Sequence, residues 1–437
     1  LAPGHTCATF LPSPAARYWA DPRSSIMKTA KSLLSDSSAR AFLGAQALSY
    51  SASAAVPVVI SFALLDTHRS ALVVGKVLAA TDLPFVLLLL VGGAIADRFS
   101  RRVVAVVSEF ARAVLLAAMA MLVVSPHFSA SSLAALGAAW GIARAFFAPT
   151  ITGMTPEIFA EDALTSANGY REAARSLGNS GGPALGGLGV AIFSPAAALA
   201  FFALIYLVAA FWLRTMSYTQ VSREVVSKSF VSDLRTGYRE VRSQAWCFIT
   251  IVVYSFMHLL VFGPLVVLAP VILKTHHLGG AAAWGILGGV EGLGGIAGAA
   301  LASRIKFKRP VWTSSAIALA LAPALLLLAM AAPVAFMVPA FALEGMGFAF
   351  IGVNWETAMQ RTFPLEAMSR VSAFDIFGSV ALYPLGQVLG GAATAVVSAQ
   401  AGAAGTAIAM VVLSGALLSS KSVYRLTARG IELGKTT

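Results

Sequence analysis

Four charged residues sit inside long apolar runs: Asp82 in T-D-L-P-F, Arg144 in G-I-A-R-A-F-F, Glu291 in G-G-V-E-G-L-G-G and Glu344 in A-L-E-G-M-G-F. A charge in such a run is costly unless it meets a partner, a proton or water, so it marks a working group by default. An acid there can take up and release a proton. An acid beside an arginine can instead form an ion pair. Both roles stay open for Glu291 and Glu344, with Arg144 as a structural partner. Asp82 can carry a proton, pair with Lys76, or face water. Glu109 and Arg112 stand three residues apart, on one helix face, and are expected to pair structurally. Tyr50, Phe85, Trp140, Tyr254 and Trp284 are aromatic candidates for lining an apolar pocket; packing or lipid contact is the alternative reading.

A second concentration of charge is the loop G-A-I-A-D-R-F-S-R-R, from Gly93 to Arg102, between two apolar runs. A carboxylate at Asp97 can pair with an arginine or cap the positive N-terminus of a neighbouring helix. Such contacts form in one conformation and break in another, which suits a latch. Arg98, Arg101 and Arg102 either share in the latch or only fix topology.

Other chemistries are excluded by what the chain lacks. No H-x-x-x-H or C-x-x-C spacing occurs, so no metal site is expected. The two cysteines, Cys7 and Cys247, lie far apart and are not expected to pair. No G-x-x-x-x-G-K-[ST] occurs, so ATP is not the energy source. No Ser/His/Asp or Cys/His set points to an enzyme. The formal charge of +12 would suit nucleic acid only if it formed a soluble basic patch with aromatics, and here it lies in short loops.

The elements that must position these groups are membrane helices. The 437 residues are 58% hydrophobic and only 11% charged, with mean hydropathy +0.80; soluble domains carry about 25% charge. Twelve runs reach the length needed to cross a bilayer: 41–65, 71–96, 103–124, 131–154, 166–193, 196–214, 247–273, 281–303, 311–331, 333–359, 371–397 and 403–424. Open sheets cannot span lipid, so the expected fold is an all-α membrane protein. Asp82 lies about 22 Å along its helix from Asp97, at about 1.5 Å per residue. With both termini cytoplasmic, the outer loops and helix ends hold only Arg69, Lys76 and Lys274, and the remaining loop Lys and Arg fall inside. Residues 1–26 read as a disordered or artefactual leader ahead of Met27-Lys28. Then come a six-helix bundle over 27–214, a linker over 215–245, a second bundle over 246–424 and a cytoplasmic tail over 425–437. In the linker, Phe230, Val231, Leu234, Tyr238 and Val241 mark an amphipathic helix, lying on the inner leaflet or serving as a tether. The halves echo each other: Glu161–Gly169 parallels Leu365–Ala373, L-G-G recurs at Leu185 and Leu389, and Gly298–Arg309 is a degraded copy of the charged loop with Ser303 in place of the acid. Two six-helix pseudo-repeats around a midplane site follow.

The loop at Gly93 resembles the signature loop between the second and third helices of the major facilitator superfamily, roughly G-x-L-A-D-R-x-G-R-R. Ile95 and Ser100 depart from that pattern. The resemblance implies a latch that holds the outward-facing state, carried by Gly93, Asp97, Arg98, Arg101 and Arg102. Residues Gly169, Gly178, Gly182, Pro183 and Gly186 match the G-x8-G-x3-G-P-x2-G spacing of the antiporter motif in drug-efflux members. Their small side chains also allow close helix approach, and Gly182-Pro183 permits a bend. The stretch from Trp355 to Gly386 is similar to the junction of helices ten and eleven in macrolide-efflux and siderophore-exporter members. Glu356, Arg361, Arg370 and Asp375 are expected to form a cytoplasmic ion-pair network there.

The reading is a multi-pass transporter of the cytoplasmic membrane, both termini inside and monomeric, that exports small amphiphilic compounds such as drugs or siderophores against protons by alternating access. It needs no cofactor beyond the proton gradient and no nucleic acid. The candidate proton or substrate site is Asp82, Glu291, Glu344 and Arg144. An importer or uniporter on the same fold, or a non-transporting sensor, are the alternatives.

Overall fold

A computed structural model describes residues 36–96, 99–159, 163–216, 230–302, 304–305, 307–427 and 430–431. Six long helices come first: α1 Ser37–Asp66, α2 Ala71–Ala96, α3 Arg101–Val124, α4 Ala130–Ile158, α5 Leu164–Ile192 and α6 Pro195–Thr215. After the linker helix α7 (Phe230–Ser243) come α8 Ala245–Thr275, α9 Gly280–Ala302, α10 Pro310–Ala329 and α11 Val334–Thr362. The next crossing is built from α12 Leu365–Val380 and α13 Tyr383–Ala393, and the last from α14 Ala399–Ser419. A short helix α15, Lys421–Arg425, and a two-residue strand pair close the described chain. The fold is the twelve-helix membrane bundle expected. Among the described residues, eleven spans are long and apolar enough to cross a membrane. The twelfth, α5, has the length at 29 residues but carries Asn168, Arg171, Glu172 and Arg175 in its first half. Exposed side chains such as Met121 (72%) and Phe193 (75%) suit a hydrocarbon surround.

Helix starts follow local chemistry. Ser129, Ser194 and Ser398 accept backbone N–H bonds from Ser132, Ala197 and Ala401 at 3.0–3.1 Å, capping α4, α6 and α14. The turn from α8 to α9 passes through Gly279 at φ +95°, a conformation that favours glycine. We call the end of the bundle carrying Arg101, Arg102, Arg214 and Arg361 the arginine-rich end; the loops at 67–70 and 276–279 mark the far end.

Two expected spans are broken. The run at 311–331 interrupts its helix at Ala320-Leu321, and the run at 371–397 at Ala381-Leu382. Pro323 and Pro384 follow these breaks, and proline cannot supply the N–H that an uninterrupted helix needs. In α8, Pro264 has the same effect more gently. Residues His258–Phe262 widen into a π-helical turn, with the Gly263 N–H reaching back to the His258 carbonyl.

The linker helix α7 exists, but its described apolar face lies on protein. Val241 is buried, and Tyr238 packs against Phe248 and Phe374 at 6.3 and 5.5 Å between ring centres. Phe230, Val231 and Leu234 have side chains outside the description.

The stripe on α5 packs as small residues should. Gly178, Gly182 and Gly186 face α1, where a Cβ on Gly182 would come within 2.7 Å of the Ala54 Cβ. Gly169 has open space around it. Gly182→Ala is therefore expected to lower stability by about 1–3 kcal/mol, and Gly169→Ala to leave it unchanged or slightly raised. Thermal unfolding in detergent, followed by tryptophan fluorescence, checks both; equal midpoints would reject this account of the α1–α5 contact.

Candidate functional site

Asp82 sits on α2, two residues before Pro84, and is 6% exposed. One carboxyl oxygen pairs with Arg144 Nη1 of α4 at 2.9 Å, and the other accepts Gln387 Nε2 of α13 at 2.8 Å. The Arg144 guanidinium lies over the Phe85 ring at 4.0 Å and near Trp140 at 5.6 Å. Two of the aromatic candidates thus cradle an arginine. Lys76 stays exposed and is not the partner of Asp82. Arg144, in turn, serves Asp82, not Glu291 or Glu344. Gln387 escaped sequence reasoning; its signal was a single amide side chain within an apolar run. Because α2 and α4 belong to the first six crossings and α13 to the last six, this cluster spans both halves.

Glu291 of α9 and Glu344 of α11 face one cavity of 160 Å³, walled by Phe262, Leu265, Val266, Trp284, Phe341 and Phe348. Glu344 is 3% exposed. Its Oε2 and the Trp284 Nε1 have no hydrogen-bond partner among the described residues. Two carboxylates in an apolar cavity repel unless a proton or a cation sits between them. Trp284 is the aromatic candidate that lines this cavity, and Tyr254 lines another. Tyr50 packs edge-on against Phe147 at 6.0 Å.

Glu109 and Arg112 do pair, at 2.7 Å and fully enclosed. The guanidinium is held between Phe147 and Tyr206, at 4.4 and 4.5 Å from their ring centres. It also donates to the Ser53 hydroxyl at 3.3 Å.

At the arginine-rich end, Gly93 lies in the last turn of α2, and Asp97 and Arg98 fall outside the described residues. Arg101 pairs with Glu157 of α4 at 2.9 Å and donates to the Gly153 carbonyl at 2.5 Å. Arg102 donates to the carbonyls of Leu213, at 3.2 Å, and Arg214 in α6. These bonds tie the start of α3 to the ends of α4 and α6. Glu157 was not anticipated; it lies in the last turn of α4, where sequence alone names no partner.

The expected network of Glu356, Arg361, Arg370 and Asp375 is not one cluster. Asp375 accepts the Trp355 indole N–H at 2.9 Å and a Ser379 hydroxyl bond at 3.4 Å, on the wall of a cavity. Glu356 lies within electrostatic range of Glu172 and Arg175 on α5, and those two pair with each other. Arg361 is at the exposed end of α11, and the Arg370 carbonyl packs on Gly237 of α7. Glu356 also lies within electrostatic range of Asp375, and among the described residues neither acid pairs with Arg361 or Arg370.

The halves meet between mid-bundle and the far end. Lys274 pairs with Asp66, Gln387 reaches Asp82, and Gly187 of α5 abuts Gly285 of α9, where a Cβ would stand 2.6 Å from the Gly285 nitrogen. At the other end Glu172, Arg175 and Glu356 stay exposed.

The nucleoside transporter NupG superposes with a TM-score of 0.69 at 13% identity, covering 87% of this chain and 98% of that one. A bacterial homologue of the iron transporter ferroportin, in an inward-facing state, gives 0.64 at 17% identity over 88% and 99%. The D-xylose-proton symporter gives 0.65 at 12% identity over 87% and 96%. At such identities these likenesses show the fold. No curated protein matches the chain significantly in sequence. The sequence profile of the Major Facilitator Superfamily matches residues 42–381, so the chain belongs to that superfamily of membrane transporters.

Proposed function

We propose that the chain exports small amphiphilic compounds in exchange for protons across the cytoplasmic membrane, with the arginine-rich end and both termini facing the cytoplasm. The carrying observation is the cavity shared by Glu291 and Glu344, two acids with no basic side chain on its wall. A proton bound there leaves a single negative charge and removes the repulsion, and its loss restores it, so the occupancy of the site is tied to charge. The orientation rests on the Lys and Arg bias of the loops. In that orientation the contacts described belong to a state closed outside and open to the cytoplasm. The Asp82–Arg144–Gln387 cluster then acts as the outer gate, because it joins the halves only when that side is shut. Gly93, Asp97, Arg98, Arg101 and Arg102 would form the latch of the opposite state, and α5, which carries the Gly169–Gly186 motif, the contact about which the halves rock, through Pro183 and Gly187 against α9.

A symporter among the structural neighbours supports a second reading, uptake of a small metabolite with protons on the same fold. The direction of flux separates the two readings.

In everted vesicles loaded with acid, one compound from a panel of macrolides, dyes, fluoroquinolones and catecholate siderophores is expected to trigger proton release, read by a pH-sensitive dye. Glu344→Gln and the double variant Glu291→Gln/Glu344→Gln are expected to abolish the response. A response unchanged in the double variant would remove the coupling site, and accumulation of substrate by intact cells would turn the reading to import.

The gate has its own test. Asp82→Asn leaves Arg144 half-enclosed without its ion partner, at about 1–3 kcal/mol, between the exposed and buried limits. Spin labels at Arg69 and His276, on a background lacking Cys7 and Cys247, are expected to show a larger long-distance population in this variant. An unchanged distance distribution would mean that the cluster is not a gate.

A further inference from the structure

A cavity lies inside the second half, between α8, α10, α11 and α12. It has a volume of 310 Å³, at the lower edge of the range for small-molecule sites. Its walls carry the rings of Tyr254, Phe348 and Trp355 and one carboxyl, Asp375. Trp355 is turned toward that carboxyl because its ring packs edge-on against the buried Trp246, 5.6 Å between centres. Asp375 therefore has two neutral donors, the indole N–H at 2.9 Å and the Ser379 hydroxyl at 3.4 Å. Among the described residues, no arginine, lysine or histidine pairs with it. A carboxylate half-enclosed by aromatic and aliphatic walls lacks the counter-charge that such surroundings demand. On one side the wall is open: Gly352 and Ile376 line the cavity and are exposed. The Gly352 position has nothing within 4 Å of where a Cβ would stand. One helical turn further on, Glu356 places a second acid near this mouth.

We propose that this cavity binds a lipophilic organic cation, with Asp375 as its counter-ion and the rings of Tyr254, Phe348 and Trp355 against its flat or alkyl parts. The rings attract a cation through their faces as well as by apolar contact. A neutral amphiphile gains only the apolar part, and an anion is repelled by Asp375. The proposal sharpens the transport reading above by naming a substrate class, and it rests on that reading only for the fate of the bound cation. Binding itself needs neither a gradient nor a direction.

The test uses the full chain in lipid nanodiscs, without a membrane potential, and rhodamine 6G as the probe, read by fluorescence anisotropy. Wild type is expected to bind it, and tetraphenylphosphonium to displace it. Asp375→Asn is expected to weaken binding at least about tenfold, the usual scale for loss of an enclosed charge partner. Gly352→Leu, which the open space accommodates, is expected to fill the mouth and abolish binding. A neutral macrolide, followed by competition, is expected to lose far less in Asp375→Asn. Size-exclusion profiles and unfolding midpoints establish that both variants are folded. Absence of rhodamine binding by wild type, or wild-type affinity in folded Asp375→Asn and Gly352→Leu, would overturn the proposal. Cation binding without substrate-driven proton release would leave the cavity in place and reject the exchange mechanism; proton release by neutral compounds without cation binding would do the reverse.

Discussion

Hydrocarbon does not solvate charge, and the interior of this bundle is organised around that cost. Three arrangements meet it in three ways. Glu109 and Arg112 form an enclosed ion pair, and Phe147 and Tyr206 close over the guanidinium, so the two charges meet within one half. Asp82 and Arg144 also pair, but the second carboxyl oxygen takes its bond from Gln387 of the other half. That arrangement is complete only while the halves touch. Glu291 and Glu344 have no basic partner on their cavity wall, and Asp375 has only neutral donors. In the proposed exchange, a proton or a ligand from outside the chain supplies what these acids lack. One electrostatic rule thus yields a structural strut, a conditional contact and sites that wait for a proton or a ligand.

A second constraint is that lipid gives helices little hydrophobic reason to associate, so they must approach closely. Gly178, Gly182 and Gly186 let α1 lie on α5, and Gly187 meets Gly285 where α5 crosses α9. The α5–α9 contact joins the halves through backbone and small side chains. It has no deep knobs to withdraw, so rotation of one half on the other disturbs little packing. The same helix therefore serves as a firm wall toward α1 and as a smooth bearing toward α9.

The bundle was legible because twelve apolar runs and a lopsided distribution of Lys and Arg leave few alternatives. The fully enclosed pair at Glu109 and Arg112 was legible too, since an i,i+3 spacing fixes both side chains on one face. The partners of Asp82 were not. Arg144 is 62 positions away and Gln387 305, and period and composition carry no information on which helices adjoin. For a related reason the sequence could not say which of Glu356, Arg361, Arg370 and Asp375 meet: proximity along a junction says nothing of the face on which each residue leaves its helix. The breaks at Ala320-Leu321 and Ala381-Leu382 were written in the positions of Pro323 and Pro384, but an apolar run reads the same whether its helix is continuous or not.

The arginine-rich end shows how the halves can move as bodies. Arg101 holds α4 through Glu157 and the Gly153 carbonyl, and Arg102 holds the end of α6 through its carbonyls. Both sets of bonds stay within the first half. They stiffen that half at the arginine-rich end. At that end Glu172 and Arg175 pair with each other, and Glu356 faces them with no ion pair among the described residues. Among the described residues, the polar ties between halves include Lys274–Asp66 and Asp82–Gln387, both away from the arginine-rich end. A bundle tied between halves at one end and within a half at the other opens by releasing a few bonds, without unpacking either core.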